Sequence, residues 1–164
     1  MDPLESHIAA RERILATSYA LFLRRGTTAV GINELVREAG VARATLYYHF
    51  PSKESLVSAF LERRYQVFVA GYLEAGVLRR ADTAEGQLLA VFYVLDEWFR
   101  WADFESSSYL RVLLELGSGH RLGRESLRQL EKIRVRIQVL AAEADLDDPE
   151  GFSRACGCCC ARAR

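Results

Sequence analysis

Proline is scarce in this chain: there are three in 164 residues, and two of them, Pro3 and Pro149, lie near the ends. Helices therefore have long stretches without a residue that lacks an N–H and clashes with the preceding turn. No apolar run approaches the roughly 18–20 residues that a membrane span needs. Residues 1–13 are too polar for a signal peptide. A cytoplasmic protein with no membrane partner is the expectation. Cysteine is confined to positions 156–160, so no framework of scattered pairs is available for disulfides. The run C-x-C-C-C also lacks the second ligand cluster that a structural zinc site uses. Neither a metal nor a cofactor is expected.

Catalytic signatures are absent too. There is no Glu-x-x-His pair of the di-iron kind, no nucleophile elbow and no phosphate-binding loop. His7, His49 and His120 are scattered along the chain. An enzyme on a helical bundle is therefore the weakest of the readings weighed. Excess charge of one sign is missing as well, the formal net charge being zero. Only its distribution hints at a partner. Between residues 24 and 53, Arg24, Arg25, Arg37, Arg43 and Lys53 outnumber Glu34 and Glu38. From residue 82 to 105, Asp82, Glu85, Asp96, Glu97, Asp103 and Glu105 face only Arg100. A basic head on an acidic body suits nucleic acid at one end.

What the chain does have is apolar content of 50% with 27% charged residues, enough to bury a core. Its apolar residues recur with helical period and nowhere alternate with period two. One helix is predicted over residues 6–25, with Ile14, Leu15, Ser18, Leu21 and Phe22 on one face and Gly26 stopping it. A second places Ile32, Leu35, Val36 and Ala39 on one side and ends at Gly40. A third covers residues 43–49 and is stopped by Pro51. A long fourth helix opens at Ser52 and carries Leu56, Phe60, Val67 and Gly71 along one side. Residues 84–103 hold two apolar stripes, one of Leu88, Phe92, Leu95, Phe99 and Ala102, the other of Val91, Val94, Trp98 and Trp101. Such a helix is expected at the centre of a bundle. Helices over 106–116 and 121–144 follow, separated by Gly117-Ser118-Gly119. The fold class is all-α: a three-helix head followed by a helical bundle.

Residues 32–49 have the organisation of a helix-turn-helix, with Val41 plugging the turn and Leu46 and Phe50 packing the third helix back on the first two. Arg43, Ala44, Thr45, Tyr47, Tyr48 and His49 are then left on the outer side. Arg suits a guanine edge or a phosphate, Ala and Thr methyls suit thymine, and Tyr and His suit phosphate oxygens. Lys53 follows in the first turn of the next helix, whose free N–H groups also favour phosphate.

The segment GTTAVGINELVREAGVARATLYYHFPSKESL, residues 26–56, resembles the DNA-binding domain of the TetR family nearly end to end. Its AGVARATLYYHFPSKESL stretch is the most recognisable part, and the resemblance covers residues 8–63. It implies base contacts from Arg43, Ala44 and Thr45, phosphate contacts from Tyr47, His49 and Lys53, and either from Tyr48. Asn33 would reach the DNA backbone. It further implies a palindromic double-stranded operator, a small-molecule effector and a homodimer built by the last two helices. Two positions depart from the pattern: Gly31 and Ala42 stand where family members usually carry a hydroxyl cap. Loss of the cap at Ala42 costs about 1 kcal/mol, and at Gly31 a few tenths.

Residues 1–51 are thus expected to form the DNA-binding head and residues 52–155 an effector-binding and dimerisation domain. The aromatics of the latter are core or pocket, since bundles hold apolar ligands between helices. Candidate effector contacts are Phe60, Phe68, Tyr72, Phe92, Tyr93, Glu97, Trp98, Trp101 and Tyr109. Asp147-Asp148-Pro149-Glu150 is a strong helix start, but the tail at 156–164 has the composition of GC-rich coding sequence read out of frame. The sensing domain is therefore expected to be truncated or frameshifted at its end, and the homodimer put in doubt. The function expected is a TetR-like regulator, a repressor that releases its operator on binding an apolar or aromatic effector. The alternative is a protein-interaction module that has lost DNA binding.

Overall fold

The computed structural model describes residues 3–100 and 108–162, and every regular element among them is a helix. The head consists of α1 (Pro3–Arg25), α2 (Ile32–Ala39) and α3 (Arg43–His49). Its boundaries follow from local chemistry. α1 ends at Gly26, whose φ of 83° is left-handed and whose missing Cβ would stand 2.5 Å from the Glu115 carboxylate. α2 ends at Gly40 with φ 60°. Gly31 and Ala42 precede α2 and α3 in extended conformation and give no side-chain cap, as the departures from the family pattern predict. α4 (Lys53–Tyr65) starts instead with a reciprocal cap, the Ser55 N–H donating to Ser52 Oγ at 3.1 Å.

The body comprises α4, a π-helical continuation (Gln66–Glu74), α5 (Ala75–Leu78), α6 (Ala84–Phe99), α7 (Ser108–Leu116), α8 (Arg121–Glu143) and α9 (Pro149–Arg162). The described residues form two apolar cores. The first joins Ile14, Phe22, Leu35 and Leu46 of the head to Leu56, Phe60 and Leu61 of α4, and reaches Val112 and Leu122 of α7 and α8. The second packs Leu73 and Val77 against Val91, Val94 and Trp98 of α6 and Leu140 and Ala141 of α8.

Three expectations differ from what is found. The stripe expected to run through Val67 and Gly71 is displaced: those two are exposed, and Val69 and Leu73 are buried instead. Each wide π-helical turn takes in about one extra residue, and along Gln66–Glu74 the buried face moves on by two positions. α6 is covered on one side only among the described residues. Leu88, Val91, Val94, Leu95 and Trp98 are buried, whereas Leu89 and Tyr93 face outward and Phe92 is 45% exposed. Finally, the helix announced by Pro149 does form. The Gly151 N–H donates to Asp148 Oδ1 at 2.9 Å, and α9 runs to Arg162, burying Ser153 and Cys156. Phe152 meets Phe92 edge-to-face at 5.9 Å. No helix among the described residues is long and apolar enough to cross a membrane.

Candidate nucleic-acid interface

α3 is a two-turn helix with one buried side chain, Leu46, at its centre. Phe50, just past its end, is buried and lies beneath the Arg11 guanidinium at 5.3 Å. These two anchors turn the rest of the helix outward. Arg43, Ala44 and Tyr47 are exposed, Tyr48 is 72% exposed, and Thr45 and His49 are half-buried. Tyr48 and His49 stack edge-to-face at 5.0 Å. Residues 43–53 contain no acid.

The cations of the head fall into two groups. Glu34 pairs with Arg25, and Glu38 pairs with Arg37 at 3.1 Å, so the two acids of α2 each hold a neighbouring guanidinium. Arg43 and Lys53, which flank the exposed ridge, rest on neutral oxygens instead. Arg43 donates to Asn33 Oδ1 at 3.1 Å and lies over the Tyr47 ring at 5.6 Å. Lys53 Nζ donates to the Thr28 carbonyl at 3.4 Å. Burial lowers the Lys53 pKa below its ordinary value, and the nearby Glu115 carboxylate works against that. The ridge is therefore polar and cationic, with Asn33 beside it.

A polar strap between residues far apart in the chain ties this head to the body. Glu115 Oε2 accepts from Thr27 Oγ1 at 2.9 Å, Thr28 Oγ1 at 2.8 Å and the Thr28 N–H at 3.3 Å. Arg111 donates to the Leu23 carbonyl at 3.1 Å, satisfying an end carbonyl of α1. His120 is half-buried. It caps α8 by accepting from the Leu122 N–H at 3.2 Å and stands 3.3 Å from Glu54. Between Thr27, Lys53, Val57, Leu116 and His120 lies an open cavity of about 170 Å³.

The candidate effector contacts scatter. Phe68, Tyr72 and Trp98 come together: Phe68 lies 4.1 Å from Trp98 and 6.2 Å from Tyr72, with the Arg64 guanidinium over Phe68 at 5.4 Å. Burial, and then the Glu97 charge, push the Tyr72 phenol above its usual pKa. Glu97 itself is held by Arg80 at 2.6 Å. Phe60, by contrast, belongs to the head's core, edge-to-face with Tyr19 and Phe22. Tyr109 is buried there too, donating to the Leu61 carbonyl at 3.3 Å. Phe92 and Tyr93 lie on the open side of α6. Trp101 falls outside the described residues. A cavity of about 30 Å³ lies nearby, against Val69, Leu73, Val91 and Ile137, room for little more than one water.

Comparison with known proteins agrees with this geometry. Residues 14–60 match the model of bacterial regulatory proteins, tetR family. The HTH-type transcriptional repressor NemR of Escherichia coli is 43% identical over 58 residues, covering 35% of this chain and 29% of NemR. The HTH-type transcriptional activator FasR of Mycolicibacterium smegmatis is 31% identical over 105 residues, 64% of this chain and 45% of FasR. These matches thus span less than half the length of the curated relatives. Among solved structures, SCO4454, a TetR-family transcriptional regulator from Streptomyces coelicolor, superimposes with a TM-score of 0.80 at 28% identity. That match covers 89% of this chain and 77% of SCO4454. The reduced form of Escherichia coli NemR shares the fold at a TM-score of 0.74 and 21% identity, over 92% of this chain and 83% of NemR.

Proposed function

Residues 14–60 match the tetR family of bacterial regulatory proteins, and from that premise we propose that this chain is a TetR-family member: a cytoplasmic DNA-binding transcription regulator, a repressor rather than an enzyme. One observation carries the reading: α3 and the start of α4 present Arg43, Ala44, Thr45, Tyr47, Tyr48, His49 and Lys53 as one ridge without a carboxylate. A short helix with that surface fits the major groove, with phosphate oxygens at its edges. Residues 1–51 act as the reading head and residues 52–155 as the sensing body, the tail at 156–164 taking no part in recognition. Two copies on a palindromic operator present their reading helices about 34–36 Å apart. The likeness of the head to a named repressor supports repression. The longer match to a named activator makes activation the outcome that a reporter assay has to exclude.

The proposed effector is small and apolar or aromatic, and it lodges among Phe68, Tyr72 and Trp98. The little free space there means that the bundle opens to admit it. A ligand that binds the open body better than the closed one shifts the head through the Glu115 strap. Such a switch needs only different affinities for the two states.

Titration of the purified chain with random-sequence and enriched duplexes at low and high salt tests the proposal. Lys53→Ala is expected to weaken binding to every duplex and to reduce the salt slope by about one, while Thr45→Ala mainly blurs base preference. Binding that is absent, or that does not respond to salt, would favour the protein-interaction reading.

A further inference from the structure

Arg43 is the one guanidinium on the reading ridge, and three features of its setting belong together. Its Nη1 donates to Asn33 Oδ1 at 3.1 Å. Its guanidinium lies over the Tyr47 ring at 5.6 Å. Both holds are neutral, although carboxylates are within easy reach of the same helix pair: Glu34 takes Arg25 and Glu38 takes Arg37. Resting on the proposed DNA-binding function, we infer that Asn33 is a positioning residue for base readout, which holds Arg43 in the orientation it uses on a base edge.

The physical case has three parts. A long arginine side chain loses rotamer freedom when it docks, and a guanidinium already held against an amide and a ring loses less. A guanidinium carries five N–H donors, and the bond to Asn33 uses Nη1 alone, so Nε and Nη2 keep their N–H groups for a base edge. The amide also leaves the positive charge unneutralised. A carboxylate at position 33 would compete with the guanine O6 and N7 acceptors, as Glu34 and Glu38 already compete for their own partners. Asn33 accepts through its oxygen and keeps two N–H donors on its nitrogen. The same side chain is thus equipped to bond a phosphate while it aims Arg43, linking strand register to base choice.

The test uses the full chain and duplexes it enriches from a randomised pool, with affinities measured across a salt series. Asn33 and Arg43 are exposed, and a thermal melt of each variant checks that the fold is kept. Arg43→Ala is expected to erase the preference at one base pair of each half-site. Asn33→Ala should weaken that same preference by about five- to tenfold, within the range one base contact supplies, on top of a smaller, uniform loss on every duplex from its phosphate bond. In the Arg43→Ala background, Asn33→Ala should change that base preference no further. Asn33→Asp, which turns the hold into an ion pair, should weaken specific and random binding together and reduce the salt slope by about one. The inference is overturned if Arg43→Ala leaves every base preference intact. It is equally overturned if Asn33→Ala lowers all duplex affinities alike, which would make Asn33 a phosphate contact alone. Failure of the unaltered chain to bind any duplex would instead remove the DNA-binding reading beneath it.

Discussion

The two apolar cores are made of similar residues and packed to different standards. In the core of the head, Ile14, Val30, Leu35, Leu46, Leu56 and Leu61 are entirely removed from solvent. Among the described residues of the body's core, only Val94 and Ala141 are, and Leu88, Leu95, Leu140 and Trp98 keep a margin of exposure. The body also contains the π-helical segment and the side of α6 left open. Tight packing transmits strain and resists rearrangement, whereas regions with incomplete burial open at lower cost. On the proposed function, a head that holds side chains in register with DNA belongs to the first kind, and a body that admits an effector belongs to the second.

The sharpest way to break this comparison is to make the same cut in both cores. Leu46→Ala should cost about 3–5 kcal/mol, the upper part of the range for buried leucine, because nothing around it can collapse into the gap. Leu140→Ala should cost about 2–3 kcal/mol. Urea denaturation of the two variants measures both, and equal losses would dissolve the distinction.

A smaller effect comes from Tyr109, which sits where the body meets the head's core. Its bond to the Leu61 carbonyl makes Tyr109→Phe cost about 1 kcal/mol. Burial raises its phenol above the ordinary value of 10.0. A folded value raised in this way gives stability that is fully present below 10 and lost as the pH climbs toward the folded value. Melting temperature against pH should therefore fall more steeply above that point for the unaltered chain than for the phenylalanine variant.

Ala42 offers a gain of similar or smaller size. Its backbone, at φ −71° and ψ 149°, already has cap geometry and lacks only a hydroxyl. Ala42→Ser should add about 0.5–1 kcal/mol, seen as a higher melting temperature. No gain would mean that the ends of α3 are fixed by packing alone.

The head was legible in the sequence because what determines it is local. Gly26, Gly40, Pro51 and Ser52 each mark a boundary by their own backbone chemistry, and Leu46 and Phe50 lie within a few residues of the side chains they orient. The uncapped starts at Gly31 and Ala42 followed from the residue types alone. The body was legible only as a succession of helices. Nothing in the spacing of Leu56, Phe60, Val67 and Gly71 marks the place where the chain widens into π-helical turns, because tertiary packing decides it. The Glu115 strap joins residues 87 and 88 positions apart, beyond the reach of any periodic pattern. Phe60 and Tyr109 had the composition of a pocket lining, yet both went to the core of the head, since aromatic content does not say which neighbours will close over a ring. α9 formed through residues whose composition argued against it, given a strong start at Asp148 and Pro149 and an apolar surface on α8 to lie against.

Hydrogen–deuterium exchange with and without an enriched duplex tests the central claim most directly. Slowed exchange confined to residues 32–56, with α6 and α8 unchanged or faster, is the predicted result. Protection centred on the body, or none in α3, would contradict it.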